Sequence, residues 1–125
     1  MFRKRISKYF PLPLSFIIFT ILSIIIVVTI LIGAKSYISD FSQEKWNCNE
    51  RLRIYMIDDL EEGKGILGKI DKEIIDLLGE PIYISDTKKI IYEYYVGESM
   101  IDPYSYQIEF ENNVAVNTAL VNINF

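Results

Sequence analysis

The sequence predicts an α+β chain: an N-terminal single transmembrane helix followed by a small ααβββ domain with a three-stranded antiparallel sheet. Three observations carry that prediction. Between Phe10 and Ala34 no residue is charged, and Phe16–Ile32 is almost wholly Ile, Leu, Val and Phe. A short amphipathic segment ends in Leu77-Leu78-Gly79 with Pro81 behind it, a helix-stop pattern. From Ile90 onward apolar and polar residues alternate with the period of strands. Residues 1–11 form a basic lead, 12–34 the span, 35–48 a juxtamembrane connector and 49–125 the domain.

The apolar stretch is long enough to matter. At about 1.5 Å per helical residue, Leu14–Gly33 reaches roughly 30 Å, the thickness of a bilayer's hydrocarbon core. In lipid every backbone polar group must be satisfied within the segment, which selects a helix. Pro11 and Pro13 suit a helix entry, where a missing N–H costs nothing. Arg3, Lys4, Arg5 and Lys8 precede the segment and only Lys35 follows closely. The positive-inside rule therefore predicts a single-pass chain of the cell membrane, held by Leu12–Ala34. Its N-terminus is expected in the cytoplasm and its C-terminal domain outside. A cleaved signal peptide shares these residues, with Gly33, Ala34 and Ser36 as small residues near a cut. Its apolar region is normally shorter, about 7–15 residues, which favours an uncleaved anchor.

Beyond the anchor, Ser36–Lys45 is polar with spaced aromatics. A first helix is expected over Glu50–Glu62, with Leu52, Tyr55, Met56 and Leu60 on one stripe. Asn47 or Asn49 would cap it, and Gly63 and Gly65 would stop it. A second helix is expected over Lys72–Leu78, with Asp71 as N-cap and an Ile70/Ile75 staple. Ile74, Leu77 and Leu78 would form its buried face, with Gly79 as an αL terminator. The first strand, Ile90–Val96, sets Ile90, Tyr92, Tyr94 and Val96 on one face and Ile91, Glu93 and Tyr95 on the other. Gly97–Pro103 reads as a loop. The second strand, Tyr104–Glu111, sets Tyr104, Tyr106, Ile108 and Phe110 inward, and Ser105, Gln107, Glu109 and Glu111 outward. Asn112-Asn113 makes a tight turn, because Asn tolerates positive φ. Val114–Ile123 returns as the third strand. Val114 and Val116 point inward, the face beyond them is ambiguous between Thr118/Leu120 and Ala119/Val121, and a bulge near Asn117 is expected.

Composition excludes several chemistries. The chain has no histidine and one cysteine, so His-based catalysis, an internal disulfide and an all-Cys zinc site are out. From Lys35 onward nine Lys or Arg face 17 acids, a net of −8 that disfavours nucleic acid and anionic lipid headgroups. Asp58, Asp59, Glu61 and Glu62 lack an EF-hand pattern and read as a solvated acidic face. Cys48 reads as a reactive thiol, a partner in an intermolecular disulfide or an unreactive residue; with no nearby histidine and with acids around it, the unreactive reading is expected. Trp46 suits either a membrane interface or the core. Glu93, Glu109 and Glu111 contain enough carboxylates for glycoside chemistry, but nothing marks a pocket that would raise one pKa. No cofactor, metal or small-molecule substrate is implied, and an enzyme is not expected. The remaining candidates for protein binding are the outer side of the sheet (Ile91, Glu93, Tyr95, Gln107, Glu109 and Glu111), an open strand edge and the Gly97–Pro103 loop.

The segment Leu67-Gly68-Lys69-Ile70-Asp71-Lys72-Glu73-Ile74-Ile75-Asp76-Leu77-Leu78-Gly79-Glu80-Pro81 resembles the G-M-[ST]-x-x-[EQ]-V-x-x-L-L-G-x-P signature of the BamE/SmpA/OmlA family. Tyr92-Glu93-Tyr94-Tyr95-Val96-Gly97 is similar to that family's W/V-Y-x-L-G strand, and Tyr106–Ala115 to its L-x-V-x-F-D-x-x-G-K-V hairpin. Phe41–Trp46 and Arg53–Leu60 are similar to F-x-x-x-x-W and R-x-x-M-x-x-D-L in uncharacterised bacterial members. The resemblance covers roughly Phe41–Val121. It departs where Lys69 and Asn113 replace glycines and where a span stands in place of a lipid-bearing cysteine. It implies an extracytoplasmic ααβββ domain, of the kind also found in β-lactamase-inhibitor-like proteins, that binds other proteins. The expected role is thus a non-enzymatic, membrane-tethered accessory subunit of an envelope protein complex. The alternative is an inhibitor or sensor module secreted after cleavage near Ala34.

Overall fold

The computed structural model describes residues 12–85 and 88–123. Arg3, Lys4, Arg5, Lys8, Phe10 and Pro11 lie outside the described residues. The chain divides into two units, 1–35 and 36–125.

Helix α1 spans Leu14–Ser39, 26 residues that are apolar around the whole circumference, none of them buried in protein. It starts on the Pro13 carbonyl, which accepts from Phe16 N at 2.8 Å. The hydroxyls within it need partners if lipid surrounds them. Thr20, Ser23 and Thr29 each donate to the carbonyl four residues back (Phe16, Phe19 and Ile25) at 2.8, 2.9 and 2.8 Å. At about 1.5 Å per residue the helix is ~39 Å long, enough to cross a bilayer core.

The second unit begins within the last turn of α1, and the stretch expected as connector is largely folded. Helix α2 (Gln43–Cys48) is capped by Ser42, whose side chain accepts from Lys45 N. The Lys45 ammonium donates to the carbonyls of Tyr37 and Asp40 and sits 4.7 Å from the centre of the Tyr37 ring. Trp46 is fully buried, a core residue. The helix expected over Glu50–Glu62 is a composite: a 3-10 turn (Glu50–Leu52), α3 (Arg53–Asp59) and a π-helical turn (Leu60–Lys64). Asn49 caps it, accepting from Arg51 N at 3.1 Å. Gly65, at φ 66°, ends it.

Helix α4 spans Asp71–Leu78 and buries Ile74 and Leu78. Its cap lies one residue earlier than Asp71. Ile70 is the N-cap, and its N–H donates to the Glu73 carboxylate at 3.0 Å. With Ile70 at the cap, N′ and N4 fall on Lys69 and Ile74, so Ile70 and Ile75 do not occupy the staple positions. The shift arises because residues 68–70 are held to the sheet: Gly68 N donates to Ala115 O, Ala115 N to Lys69 O, and Ile70 bridges Val114. Gly79 stops the helix at φ 83°, ψ −172°, which is not αL but is equally closed to other residues.

The sheet has four strands rather than three, all antiparallel, in the order β1 (Tyr83–Ser85), β2 (Ile90–Ser99), β3 (Asp102–Glu111), β4 (Val114–Asn122). Three residues are too short for alternation to reveal β1. It forms because it pairs with β2, Tyr83 opposite Glu93 and Ser85 opposite Ile91. The expected loop Gly97–Pro103 is mostly strand, and the β2–β3 hairpin closes over Met100-Ile101. Met100 sits at φ 60°, a turn position usually held by glycine. Asn112 and Asn113, at φ 50° and 65°, make the β3–β4 turn as expected.

The helices cover one face of the sheet. Trp46, Met56, Leu60, Ile66, Ile74 and Leu78 pack there against Tyr92, Tyr94, Val96, Tyr106, Ile108, Phe110 and Ala115. Two bulges set the details. Val96 is an extra residue between the Tyr95–Ser105 and Gly97–Tyr104 pairs, which lets Val96 and Gly97 both be buried. A Cβ on Gly97 would lie 2.6 Å from the Arg51 carbonyl oxygen, so only glycine allows that crossing. Val116 is the second extra residue, and it reverses the expected inward set of β4. Ala115 is buried opposite Phe110, Val116 is exposed, and Thr118 and Leu120 face the Ile108 and Tyr106 side. Ile90, at the strand end, is exposed rather than in the core.

Candidate functional site

The six residues singled out from sequence fall on one side of the sheet, opposite the core. Register sets Glu93 beside Gln107 and Ile91 beside Glu109, with Tyr95 beside Ser105 at one end and Glu111 beside Val114 at the other. Strands β1 and β4 extend these rows: Tyr83 continues the Glu93–Gln107 row on one side and Ala119 on the other. Ile91, Glu93, Tyr95, Gln107 and Glu109 are half-buried and Glu111 is exposed. Ser105 is the exception to an open face. It is fully buried, and its hydroxyl has no partner. A small side chain between Tyr95 and Val121 is shaded by both neighbours.

Polar contacts tie the face together. Gln107 Nε2 donates to Glu93 at 3.4 Å, and Lys89 Nζ donates to Glu109 at 2.5 Å. The Glu109 hydrogen bond and charge, with Glu111 adding, raise the Lys89 ammonium above its ordinary value. That pair is exposed and screened, so it organises the surface rather than stabilising the fold. A depression of about 350 Å³ opens beside it between Lys88–Ile90 and Phe110–Asn112.

Glu93 and Glu109 are already engaged by Gln107 and Lys89, and their direct register partners are Gln107 and Ile91. The acids of the first helical stretch take structural work instead. Asp59 accepts from Phe41 N at 2.6 Å, and Glu61 accepts from the Tyr106 and Thr118 hydroxyls at 2.9 and 2.7 Å. Among the described residues no group of three His, Cys, Asp or Glu is placed to hold a metal. Cys48 is exposed and free.

Sequence reasoning did not foresee the joint that holds the helical layer to this sheet. Arg53 is half-buried. It donates through Nε to Trp46 O at 2.7 Å and through a guanidinium nitrogen to Tyr95 O at 3.0 Å, and it lies 4.8 Å from the centre of the Trp46 ring. Burial lowers its pKa from the ordinary value, with Glu50 pulling the other way. Trp46 Nε1 in turn donates to Leu78 O at 3.0 Å. No periodicity could signal the pair, because α2 ends at Cys48 and the extended Asn49 breaks the helix between Trp46 and Arg53. The expected Gly97–Pro103 loop is reduced to the hairpin tip, where Met100 and Ile101 are 98% and 87% exposed.

No family model, curated protein or solved structure matches this chain.

Proposed function

We propose that this chain is a non-enzymatic protein-binding domain tethered to the cell membrane, with its N-terminus cytoplasmic and its domain extracytoplasmic. Its outer sheet face, Ile91, Glu93, Tyr95, Gln107, Glu109 and Glu111, receives another envelope protein. The observation that carries this reading is the division of the sheet: core on one face, and a level, mixed acidic and aromatic surface on the other. Flat surfaces of this make-up suit protein partners better than enclosed small-molecule pockets do. The likeness to BamE/SmpA/OmlA motifs supports a role as an accessory subunit. An anchor is supported over a cleaved leader by length, since the 26-residue α1 exceeds the apolar region of about 7–15 residues usual in a signal peptide.

The test is crosslinking and affinity capture from native membranes, with the chain's N-terminal mass read on the same sample. An intact chain recovered from the membrane with one envelope complex is the expected result. A chain beginning near Lys35 in the soluble fraction overturns the tether and favours the secreted inhibitor or sensor. Intact chain that captures nothing overturns the binding role.

A further inference from the structure

We infer that β4 is a self-association edge, pairing antiparallel with β4 of a second copy of this chain to join two four-stranded sheets into one of eight strands. The inference stands apart from the outer-face proposal. Three observations carry it.

First, β4 ends the sheet, and only its start is covered. Residues 68–70 hydrogen-bond across Val114–Ala115, and among the described residues no backbone pairing reaches the far side of Val116–Asn122. Open edges present unpaired N–H and C=O groups, and proteins ordinarily blunt them with lysine, proline or short length. Here the edge strand is nine residues long with neither lysine nor proline, and its bulge at Val116 lies next to the covered start, leaving residues 117–122 regular and open.

Second, β4 carries no charge at all, in a domain whose net charge is −8 from Lys35 onward. That contrast points to a second copy as the occupant. Antiparallel self-pairing sets each residue against its own symmetry mate's strand, so any acid near the centre would meet an acid, and like charges directly opposite are destabilising. A nine-residue strand with no charge can meet itself without that penalty, and the carboxylate bonded to it, Glu61, is held on the helical side by the Thr118 hydroxyl. A basic partner strand, by contrast, would find no complement in it.

Third, the side chains suit the pairing. Centred on Ala119, the midpoint of the uncovered stretch, the two-fold puts Ala119 opposite itself. Leu120 then stands opposite Thr118 of the partner subunit, on the helical side of the sheet. Leu120 is 45% exposed, an apolar side chain left uncovered at the rim of the core. The pairing covers it. It also closes both long edges, so the assembly stops at two copies and leaves only the three-residue β1 outermost.

Sedimentation of the full chain in density-matched detergent micelles tests this. The expected protein mass is twice the 14.6 kDa chain. Ala119→Lys, at an exposed outer-face position, places two ammonium groups opposite each other and should return the mass to one chain while the far-UV circular dichroism stays unchanged. In a Cys48→Ser background, Ala119→Cys should oxidise to a covalent dimer and Glu98→Cys should not. A single-chain mass at every concentration overturns the inference and leaves a strand of a different protein as the occupant of the edge. A dimer that survives Ala119→Lys overturns it too, by assigning association to α1 or another surface.

Discussion

The two faces of the sheet are made from alternate residues of the same strands, yet they are held by different physics. On the inner face large aromatic side chains are buried and their hydroxyls reach out of the core: Tyr94 OH donates to Gly79 O at 2.9 Å and Tyr106 OH to Glu61 at 2.9 Å. On the outer face half-exposed side chains pair with each other, Gln107 with Glu93 and Lys89 with Glu109, where water competes for every contact. Burial decides the difference. A side chain buried against a packed layer contributes roughly 1.5–3 kcal/mol, an exposed ion pair about 0–1. The inner face therefore holds the fold, and the outer face is free to be spent on recognition.

The largest effect expected from that division is on the inner side. Trp46→Ala removes a fully buried ring that contacts Tyr94 edge-on at 6.4 Å, strands the Leu78 carbonyl and leaves Arg53 without its aromatic platform. A loss of about 3–5 kcal/mol is expected, most of the stability of a domain this size. Thermal unfolding followed by circular dichroism should lose its cooperative transition, and a melt within a few degrees of the parent would break the comparison.

Tyr106→Phe should cost less, about 1 kcal/mol, since only the hydroxyl is lost and Glu61 keeps Thr118 as donor. It sharpens the comparison through pH. Burial, and then the Glu61 carboxylate, push the Tyr106 phenol well above its ordinary value of 10.0. The folded state thus keeps a proton that the unfolded chain releases, so this contribution is whole below pH 10 and lost as pH rises through the folded value. Burial raises Tyr94 in the same direction. The melting temperature should fall above about pH 10, and Tyr106→Phe should flatten that fall. An identical alkaline slope in the variant would show that the inner hydroxyl is not the group concerned.

The smallest effect on stability belongs to the outer face. Glu93, Glu109 and Glu111 all changed to Lys should move the unfolding free energy by no more than about 0.5–1 kcal/mol while abolishing partner capture from membranes. Capture that persists would remove the outer face as the docking surface, and a collapsed melt would erase the distinction between the faces.

Much of this division is legible in the sequence, and the exceptions have physical causes. The alternation of Ile90–Val96 and Tyr104–Glu111 places Tyr92, Tyr94, Tyr106, Ile108 and Phe110 inside and all six candidate residues outside, because period two leaves no other choice. Gly79 and Pro81 mark the end of α4 because a glycine at positive φ and a proline close behind it cannot continue a helix. β1 is hidden because Tyr83-Ile84-Ser85 acquires its conformation from β2 rather than from its own pattern. The bulge expected near Asn117 is present one residue earlier, at Val116, and that single-residue difference inverts the inner set at the start of β4. Ser105 is polar by type and buried by position, which alternation alone does not reveal. An open strand edge is legible from the predicted order of consecutive strands, but which edge stays open is known only once β1 is seen to cover part of β2.

Gly97 has a consequence for how the domain closes. The β2–β3 hairpin turns over two residues, so most of its pairing is local and carries little loop-closure entropy. The crossing of the Arg51 backbone over Gly97 joins chain positions far apart, and it fits only where the bulge at Val96 has turned that part of β2. The notch that Gly97 leaves in β2 is where the helical segment seats, so one missing side chain sets the spacing of the layers.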